Sequence, residues 1–229
     1  MSASLTNSLI VTADGSHTLL ADAQGTEIYH SRYGALQESE HVFIRNGLNL
    51  LAGAPGKVRL LEVGFGTGLN ALLAYRWTEQ NHTHIEYTGL EPNPIPSDIV
   101  HLLNYPQLMG VEPINLERFH QAPSQQRISF WDYFSFKWRS ESLENADLEE
   151  DYFDIIFFDA FSPRYQPDVW SVENFEKLHH TLKPNGLLVT YCAKSELQRT
   201  LKQVGFEVSK LPGPPGKREM IRATCVKAY

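Results

Sequence analysis

A strand, a glycine turn and a helix follow one another near residue 60, and this unit constrains the fold more than any other part of the chain. The apolar stretch VRLLEV (58–63) runs into GFGTG (64–68), and this turn runs into the helix-like segment LNALLAYRW (69–77). Such a unit directs backbone N–H groups and the positive end of a helix dipole toward one point, and its glycines let a bound molecule touch the backbone. We therefore predict a ligand at the carboxyl end of this strand.

Strand and helix signals alternate from residue 57 onward. Short apolar strands that alternate with helices are typical of an α/β protein, in which a mostly parallel sheet is covered on both faces. The last two strand-like segments are joined by GPPGK (213–217), which predicts a closing antiparallel hairpin. The predicted strands are VRLLEVG, HIEYTGLEP, ISFWDYF, FDIIFFDAF, GLLVTYC, FEVSKLP and REMIRATCVK.

Other segments complete the predicted organisation. Residues 1–33 predict a small β-hairpin appendage, because Gly and Asp mark reversals between short apolar stretches, and residues 34–229 form the main domain. Apolar residues at helical spacing predict a helix over 34–53, and another helix is predicted to begin near Asp168. The acidic segment 141–154 predicts a solvated loop or a short helix.

Composition excludes several classes of protein. No apolar run approaches the roughly 20 residues that span a bilayer. The N-terminus lacks a basic segment followed by an apolar one, so we expect a cytoplasmic protein without membrane association. The two cysteines, Cys192 and Cys225, exclude a disulfide framework, and no Cys/His spacing predicts a metal site.

The net charge of −7 is unevenly distributed along the chain. Residues 183–229 carry nine Lys or Arg against three Asp or Glu, so the rest of the chain is strongly acidic. A basic C-terminal quarter could meet a polyanion locally, although an ordinary solvated surface would have the same composition. The charge pattern alone leaves both interpretations open.

The glycine spacing distinguishes between nucleotide ligands. Gly64, Gly66 and Gly68 follow G-x-G-x-G rather than the G-x-G-x-x-G of dinucleotide sites, and Glu62 stands just before them. A carboxylate there would repel a pyrophosphate, whereas it would attract the cationic amine and sulfonium of S-adenosylmethionine. Glu91, after the second strand, is suitably placed to bind ribose hydroxyls of either NAD or S-adenosylmethionine.

The third and fourth predicted strands carry further candidates. Asp132 in SFWDYF could meet the adenine amino group, or it could simply end a strand. Asp159 in FFDAFSP lies where open α/β sheets place their ligands, and its carboxylate could hold an acceptor amine neutral and aimed at a methyl group. Phe161 could stack on a base, Ser162 could donate a hydrogen bond, and Pro163 stiffens the turn.

A Gly/Pro loop near the C-terminus carries adjacent cations. Lys217 and Arg218 follow GPPG and precede the closing strand. Cations on a rigid loop suit phosphate contact, but a solvated turn would look the same.

Longer motifs resemble one family. From about Tyr29 onward, the chain is similar to the S-adenosylmethionine-dependent methyltransferase domain of the tRNA modification family MnmC and its stand-alone form MnmD. The segments that carry the resemblance are YHSRYGALQESEHVFI, EVGFGTGLN, LEP, DAFSPRYQPDVWS, LKPNG and GPPGKREM.

The resemblance implies a class I, Rossmann-like methyltransferase fold with a seven-stranded sheet. It implies methylation of the aminomethyl group of a wobble uridine in the tRNA anticodon loop, with Asp159 facing the amine. No counterpart of the family's FAD-dependent oxidase domain is found in this sequence, so we expect other modification enzymes to supply the amine. Lys217, Arg218 and Glu219 would shape the RNA side, together with Phe161, Ser162 and Pro163. The residues assigned to the cofactor are Glu62, Gly64, Phe65, Gly66, Thr67, Gly68, Asn70, Glu91, Asp132 and Asp159.

Two other functions remain open at this stage. One is a methyltransferase that acts on a small-molecule amine, which the acidic body would suit. The other is a nucleotide-binding oxidoreductase or a binding module without catalysis.

Overall fold

An eight-stranded sheet forms the middle layer of the protein, which the computed structural model describes over residues 9–21, 27–130 and 133–227. The strands are β1 (Leu9–Val11), β2 (His17–Leu19), β3 (Lys57–Val63), β4 (His84–Leu90), β5 (Ile128–Phe130), β6 (Phe134–Arg139), β7 (Phe153–Phe158), β8 (Leu182–Thr190), β9 (Phe206–Pro212) and β10 (Glu219–Cys225). In the main sheet they lie in the order β5-β6-β4-β3-β7-β8-β10-β9. Strands β6, β4, β3, β7 and β8 run parallel, and β10 pairs antiparallel with both β8 and β9.

The central strands are continuously apolar because each of their two faces packs against a separate hydrophobic cluster. In β3, Leu60 belongs to one cluster and Leu61 to the other, and Ile155 and Ile156 divide in the same way in β7. All four side chains are fully buried. A parallel strand covered on both faces has no solvent side, so it shows no alternation of polar and apolar residues.

Helices cover both faces of the sheet. The longest, α2, follows the glycine turn and is buried along most of its length. The α-helices are α1 (Ala35–Ser39), α2 (Leu69–Asn81), α3 (Ser97–Val100), α4 (Tyr105–Met109), α5 (Pro113–Gln121), α6 (Val172–Thr181) and α7 (Ser195–Gln203). Over the described ranges, no helix is both long and apolar enough to cross a membrane. Cys192 and Cys225 are free and buried.

The mostly parallel sheet and the closing hairpin are confirmed, but the expected number of strands is not. The predicted third strand ISFWDYF is divided: β5 covers its first residues and β6 begins at its last. These two strands pair antiparallel at the edge of the sheet, so the sheet has eight strands rather than seven. The third parallel strand along the chain is therefore β6. Its sequence FSFKWR alternates apolar and polar residues, so it is not a continuous apolar run.

Two predicted helices also have different forms. Residues 34–53 form α1, then a π-helical turn (Glu40–Arg45) and a 3₁₀ turn (Leu48–Leu51), rather than one continuous helix. The helix expected to begin near Asp168 is a 3₁₀ turn (Pro167–Trp170) followed by α6. Ser171 caps α6, because its Oγ accepts a hydrogen bond from the backbone N–H of Asn174.

The N-terminal hairpin is confirmed as the antiparallel pair β1 and β2. Asp14 holds its turn, accepting hydrogen bonds from the backbone N–H groups of Ser16 and Gln37. Leu19 is buried in the same cluster as Leu60. The hairpin therefore packs on the main core, and the domain boundary after residue 33 remains a prediction.

Candidate functional site

A cavity of about 450 Å³ opens at the carboxyl ends of β3, β4 and β7. This volume lies in the range of small-molecule sites. The cavity is lined by the glycine turn, by the chain after β4 and by the start of the loop after β7. Tyr29 and His30 from the N-terminal segment and residues 141–145 after β6 complete the lining. The fold thus places the cavity where parallel sheets bind their ligands.

The glycine turn comes very close to the tip of β7. Gly64 has φ of +90°, and a Cβ on this residue would lie 2.7 Å from the backbone oxygen of Asp159. Gly66 has φ of +48°, and its N–H donates a hydrogen bond of 2.9 Å to Glu91 Oε2. Only glycine allows this conformation and this approach without strain.

Glu91 is prepared to accept further hydrogen bonds from a ligand. Its other oxygen, Oε1, accepts a 2.9 Å bond from the backbone N–H of Asn93. A carboxylate has about four acceptor positions, so positions remain for hydroxyl donors. Burial raises the pKa of Glu91, and the two backbone N–H bonds oppose this rise. The site therefore suits the ribose of a nucleoside.

Two neutral histidines support Thr67 in the glycine turn. His30 Nε2 lies 2.8 Å from Thr67 Oγ1, and His120 Nε2 lies 3.0 Å from the Thr67 backbone oxygen. Burial lowers the pKa of each histidine to about 4. Both imidazoles are thus uncharged at neutral pH, and they add no positive charge to the cavity.

A buried hydrogen-bond network connects β3 to the tip of β7. Asn70 Nδ2 donates to Glu62 Oε1 at 2.8 Å and to Asp159 Oδ2 at 2.7 Å, and the Tyr87 hydroxyl donates to Glu62 Oε2 at 2.5 Å. Glu62 is completely buried. Burial raises the pKa of Glu62 and of Asp159 well above the usual carboxyl range. Asp159 is the member of this network that reaches the cavity.

Within this network, the Asp159 carboxylate can still accept a hydrogen bond from a ligand. The bond from Asn70 goes to Asp159 Oδ2, and Asp159 is only partly buried and lines the cavity. Asn70 Oδ1, behind the cavity wall, is buried without a donor in the described part of the chain. Together with the glycine turn and Glu91, the Asp159 carboxylate fits a ligand that carries both an ammonium group and a ribose, as S-adenosylmethionine does.

Aromatic rings form the other side of the cavity. Phe161 packs edge to face against Tyr29, with ring centroids 4.9 Å apart, and against Tyr165, at 5.4 Å. Tyr29 and Phe161 line the cavity, whereas Tyr165 is exposed. Ser162 Oγ donates to Glu27 Oε2 at 2.8 Å, so its hydroxyl already has a partner.

Only part of the predicted basic loop is available to contact a phosphate. Lys217 Nζ forms an ion pair of 2.5 Å with Glu38 Oε1, and Glu219 pairs with Lys210 at 2.8 Å. Arg218 is exposed, and its guanidinium has no partner within the described residues. Of the three, only Arg218 is thus available to a phosphate as the protein stands.

The structure brings most of the predicted cofactor residues to the cavity. Glu62, Gly68 and Asn70 lie behind its wall, and Asp132 lies outside the described residues. Ser162, Pro163, Lys217, Arg218 and Glu219 do not line it. Those that do are Gly64, Phe65, Gly66, Thr67, Glu91, Asp159 and Phe161.

Sequence reasoning missed two parts of the lining. Tyr29 and His30 were assigned to an appendage, although they begin the first motif that resembles the family. The segment 141–154 is not simply a solvated loop, because Leu143 and Ala146 are buried in it and residues 141–145 line the cavity. The apolar Leu143 among acidic residues was the available signal.

The fold is that of the class I methyltransferases, and the cavity suits S-adenosyl-L-methionine. Residues 117–226 match a family of S-adenosyl-L-methionine-dependent methyltransferases. The CMeT domain of citrinin polyketide synthase has the same fold, with a TM-score of 0.50 at 17% identity over 79% of this chain and 51% of that chain. Among the described residues, no group of three or more His, Cys, Asp or Glu side chains could hold a metal ion.

Proteins with higher sequence identity to this chain are named MnmC or MnmC2. The crystal structure of MnmC2 from Aquifex aeolicus matches with a TM-score of 0.75 at 25% identity, over 96% of this chain and 72% of that chain. The tRNA 5-methylaminomethyl-2-thiouridine biosynthesis bifunctional protein MnmC of Azoarcus sp. is 30% identical over 86% of this chain and 32% of that protein. The protein of the same name from Cupriavidus necator is also 30% identical, with the same coverage. The chain thus spans about one third of the length of these bifunctional relatives.

Proposed function

We propose that this enzyme transfers a methyl group from S-adenosyl-L-methionine to the aminomethyl group of a wobble uridine, 5-aminomethyl-2-thiouridine, in tRNA. The observation that carries the proposal is the position of Asp159. Its carboxylate faces a cavity that has the glycine turn on one side and aromatic rings on the other. An acceptor nitrogen and a methyl donor could therefore meet beside one acid.

The chemistry requires a neutral, aimed nitrogen. When bound, S-adenosyl-L-methionine supplies a methyl group on a positively charged sulfur, which leaves as a neutral thioether. Asp159 Oδ1 would accept a hydrogen bond from the amine, orient its lone pair toward the methyl group and receive the proton that the nitrogen loses. Asn70 would hold the other carboxylate oxygen in place through its 2.7 Å bond.

The aromatic residues support the proposal that the methyl-accepting nitrogen belongs to a modified nucleobase. Tyr29, Phe161 and Tyr165 form a continuous series of rings from the cavity wall to the surface. Unstacked bases of RNA loops are commonly recognised by stacking on such rings. A uridine that leaves the anticodon loop would find aromatic contacts along its whole path.

The names of the relatives support the same substrate. The bifunctional proteins from Azoarcus sp. and Cupriavidus necator are named for 5-methylaminomethyl-2-thiouridine biosynthesis in tRNA. We extend this to the present chain, and with it a cytoplasmic location and an upstream enzyme that supplies the aminomethyl intermediate. Arg218 is the exposed cation that we assign to the RNA side, with Phe161, Ser162 and Pro163 nearer the base.

The test is methyl transfer in vitro from labelled S-adenosyl-L-methionine. The substrates are tRNA that carries 5-aminomethyl-2-thiouridine, the same tRNA without this modification, and a metabolite extract depleted of RNA. We expect label in the first sample alone, and nucleoside mass spectrometry should identify the product as the methylaminomethyl nucleoside.

Two other outcomes of these measurements would contradict the proposed function. Label in the metabolite extract without label in tRNA would replace the proposal with a methyltransferase of small-molecule amines. Binding of NAD with no affinity for S-adenosyl-L-methionine, measured by calorimetry, would favour an oxidoreductase or a binding module.

A further inference from the structure

A partly buried ion pair lies near the cavity, although the methyl transfer described above does not use it. Glu38 belongs to α1 and Lys217 to the loop before β10, 179 positions apart in the chain. The exposed fraction of the side chain is 8% for Glu38 and 31% for Lys217. Desolvation offsets most of the attraction in such pairs, so stability alone is a weak reason for their presence.

Each partner is connected to the cavity lining through one intervening residue. Lys217 Nζ lies 3.7 Å from the centroid of the Tyr191 ring. The Tyr191 hydroxyl donates a 2.9 Å hydrogen bond to the backbone oxygen of Ala160, the residue after Asp159. On the other side, Glu38 Oε2 accepts a 2.8 Å bond from the backbone N–H of Ser31, which follows the lining residue His30. The pair therefore connects both walls around Asp159.

The charges that face Asp159 come from several elements. Glu38 raises the pKa of Asp159 by repulsion, and Lys217 lowers it by attraction. Glu62 on β3 adds a second carboxylate, coupled to Asp159 through Asn70. The titratable or charged groups around it are Glu38 from α1, Glu62 from β3, Tyr87 from β4, Tyr191 after β8 and Lys217 from the closing hairpin, with His30 beyond the Glu38–Lys217 pair. Lys217 is the sole cation in this described set.

We propose that Glu38 and Lys217 form a positioning pair that ties together the two walls around Asp159 and balances the charge that faces its carboxylate, which stays open to the acceptor amine. Lys217 supplies the positive charge that balances two neighbouring carboxylates. Glu38 fixes the ammonium group against Tyr191 and limits its repulsion of the cationic methyl donor. The inference rests on the proposed function, because it assigns the pair to the same methyl-transfer site.

The two partners have opposite effects on the pH at which Asp159 ionises. Removing one or the other should therefore shift the pH dependence of methyl transfer in opposite directions. Without the positive charge of Lys217, Asp159 would face Glu38 uncompensated, and a higher pH would be needed to ionise it. Without the negative charge of Glu38, the unpaired Lys217 would favour ionised Asp159, and a lower pH would suffice. A merely structural pair would lose activity in both variants without opposite shifts in pH dependence.

The experiment compares Lys217→Met, Glu38→Gln and the double variant with the parent. In single-turnover methyl transfer, we expect the acid limb of the pH–rate profile to move to higher pH in Lys217→Met and to lower pH in Glu38→Gln. A displacement of one pH unit changes the rate on that limb about tenfold. The double variant should return near the parent profile.

Lys210→Met is the matched control. Lys210 forms an ion pair of 2.8 Å with Glu219 on the same hairpin, but Lys210 is nearly half exposed and outside the cavity lining. Its replacement should leave the profile unchanged. An equal shift in the control, or shifts of the same sign in both single variants, would overturn the inference.

A second measurement separates this inference from the proposed function. The carboxyl carbon of Asp159 is titrated by ¹³C NMR in protein without cofactor, with the signal assigned by its loss in Asp159→Asn. The same opposite shifts are expected there, whatever the methyl acceptor proves to be. Parent-like titration in both single variants would reject the pair's role, whereas opposite shifts with no methylation of tRNA would reject only the proposed substrate. If Lys217→Met fails to fold, Lys217→Gln replaces it in both measurements, with the same direction of shift expected and the same outcome contradicting the inference.

Discussion

At the scale of single residues, Asp159 is the side chain on which the proposed chemistry depends most. Asp159→Asn keeps the shape and the contact to Asn70 Nδ2 but removes the acceptor of a proton. We expect methyl transfer to fall by about 10² to 10⁴-fold, because this is the usual contribution of a positioned acid or base. Calorimetric titration with S-adenosyl-L-methionine should show nearly unchanged binding. Parent-like turnover would remove Asp159 from the mechanism.

Tyr87 tests the buried network behind the cavity. Its hydroxyl donates to Glu62, and both side chains are completely buried. Tyr87→Phe should lower the free energy of unfolding by about 1–3 kcal/mol, because it leaves a buried carboxyl oxygen without its donor. Urea unfolding measures this loss. Tyr33→Phe is the control, since Tyr33 is 61% exposed, and its loss should be much smaller.

Individual site residues could be predicted from sequence only where their neighbours in the chain carried the information. Asp159 stands at the end of an apolar strand, and its position at the cavity follows from that strand alone. Lys217 looked like a free cation on a loop, because its partner Glu38 is 179 positions away. No local pattern reports such a pairing.

At the scale of elements, the glycine turn gives a sharply controlled prediction. Gly64→Ala and Gly56→Ala introduce the same strain, since the glycines have φ of +90° and +82°. A Cβ at position 64 would lie 2.7 Å from the Asp159 backbone oxygen, whereas position 56 has nothing within 4 Å. We expect both variants to lose about 1–2 kcal/mol from backbone strain. Only Gly64→Ala should also lose S-adenosyl-L-methionine binding, measured by calorimetry.

Equal binding losses in the two glycine variants would mean that strain alone, and not the approach of β3 to β7, controls the site. Retained binding in both would show that the tip of β7 can move without cost to the cofactor site.

The histidines that support the glycine turn predict a pH dependence of stability. The pKa of folded His30 is about 4, below its usual 6.5, so the unfolded chain binds more protons between these values. The stability from neutral His30 is therefore present above pH 6.5 and lost as pH falls toward 4. His30→Gln keeps an N–H donor but does not titrate, so its urea midpoint should fall less than that of the parent between pH 7 and pH 5.

The same comparison at pH 8 and pH 7 serves as the control for His30→Gln, because neither protein should change there through this group. Buried carboxyl groups with raised pKa values act in the opposite direction, but they are common to both proteins and cancel in the difference. An equal fall in midpoint would contradict the assignment of His30 as a buried neutral group.

Elements were predictable where burial was uniform. Strands β3, β4 and β7 were found because their apolar runs are covered on both faces. Strand β6 was missed because Lys137 and Arg139 lie on a partly open face, and the aromatic run before it was taken as one strand. The separate turns within 34–53 share one apolar pattern, so periodicity could not divide them.

At the scale of the whole molecule, the net charge of −7 limits how RNA can bind. The net negative charge weakens long-range attraction between the protein and tRNA. Each exposed cation near the cavity should therefore make a measurable contribution to tRNA binding. Arg218→Ala should weaken tRNA binding and reduce the slope of log K against log salt by about 1. Filter binding between 50 and 200 mM salt measures this.

Lys227→Ala is the control for Arg218, because Lys227 already pairs with Asp151 and lies outside the cavity lining. Its salt slope should equal that of the parent. A reduced slope in Lys227→Ala together with an unchanged slope in Arg218→Ala would place the RNA on another face of the protein.

The architecture as a whole followed from the alternation of strands and helices, together with the hairpin turn near the C-terminus. The order of the strands did not follow, because pairing depends on contacts between distant segments. The most consequential case is β10, which comes last among the strands but lies between β8 and β9.

This strand order has a consequence for synthesis on the ribosome. Until Glu219–Cys225 has emerged from the exit tunnel, β8 has an unpaired edge and β9 has no neighbour in the sheet. Lys217 emerges just before that strand, so Glu38 has no ion-pair partner until then. Until β10 emerges, the unpaired edge of β8 in the nascent protein is therefore exposed to pairing with other chains.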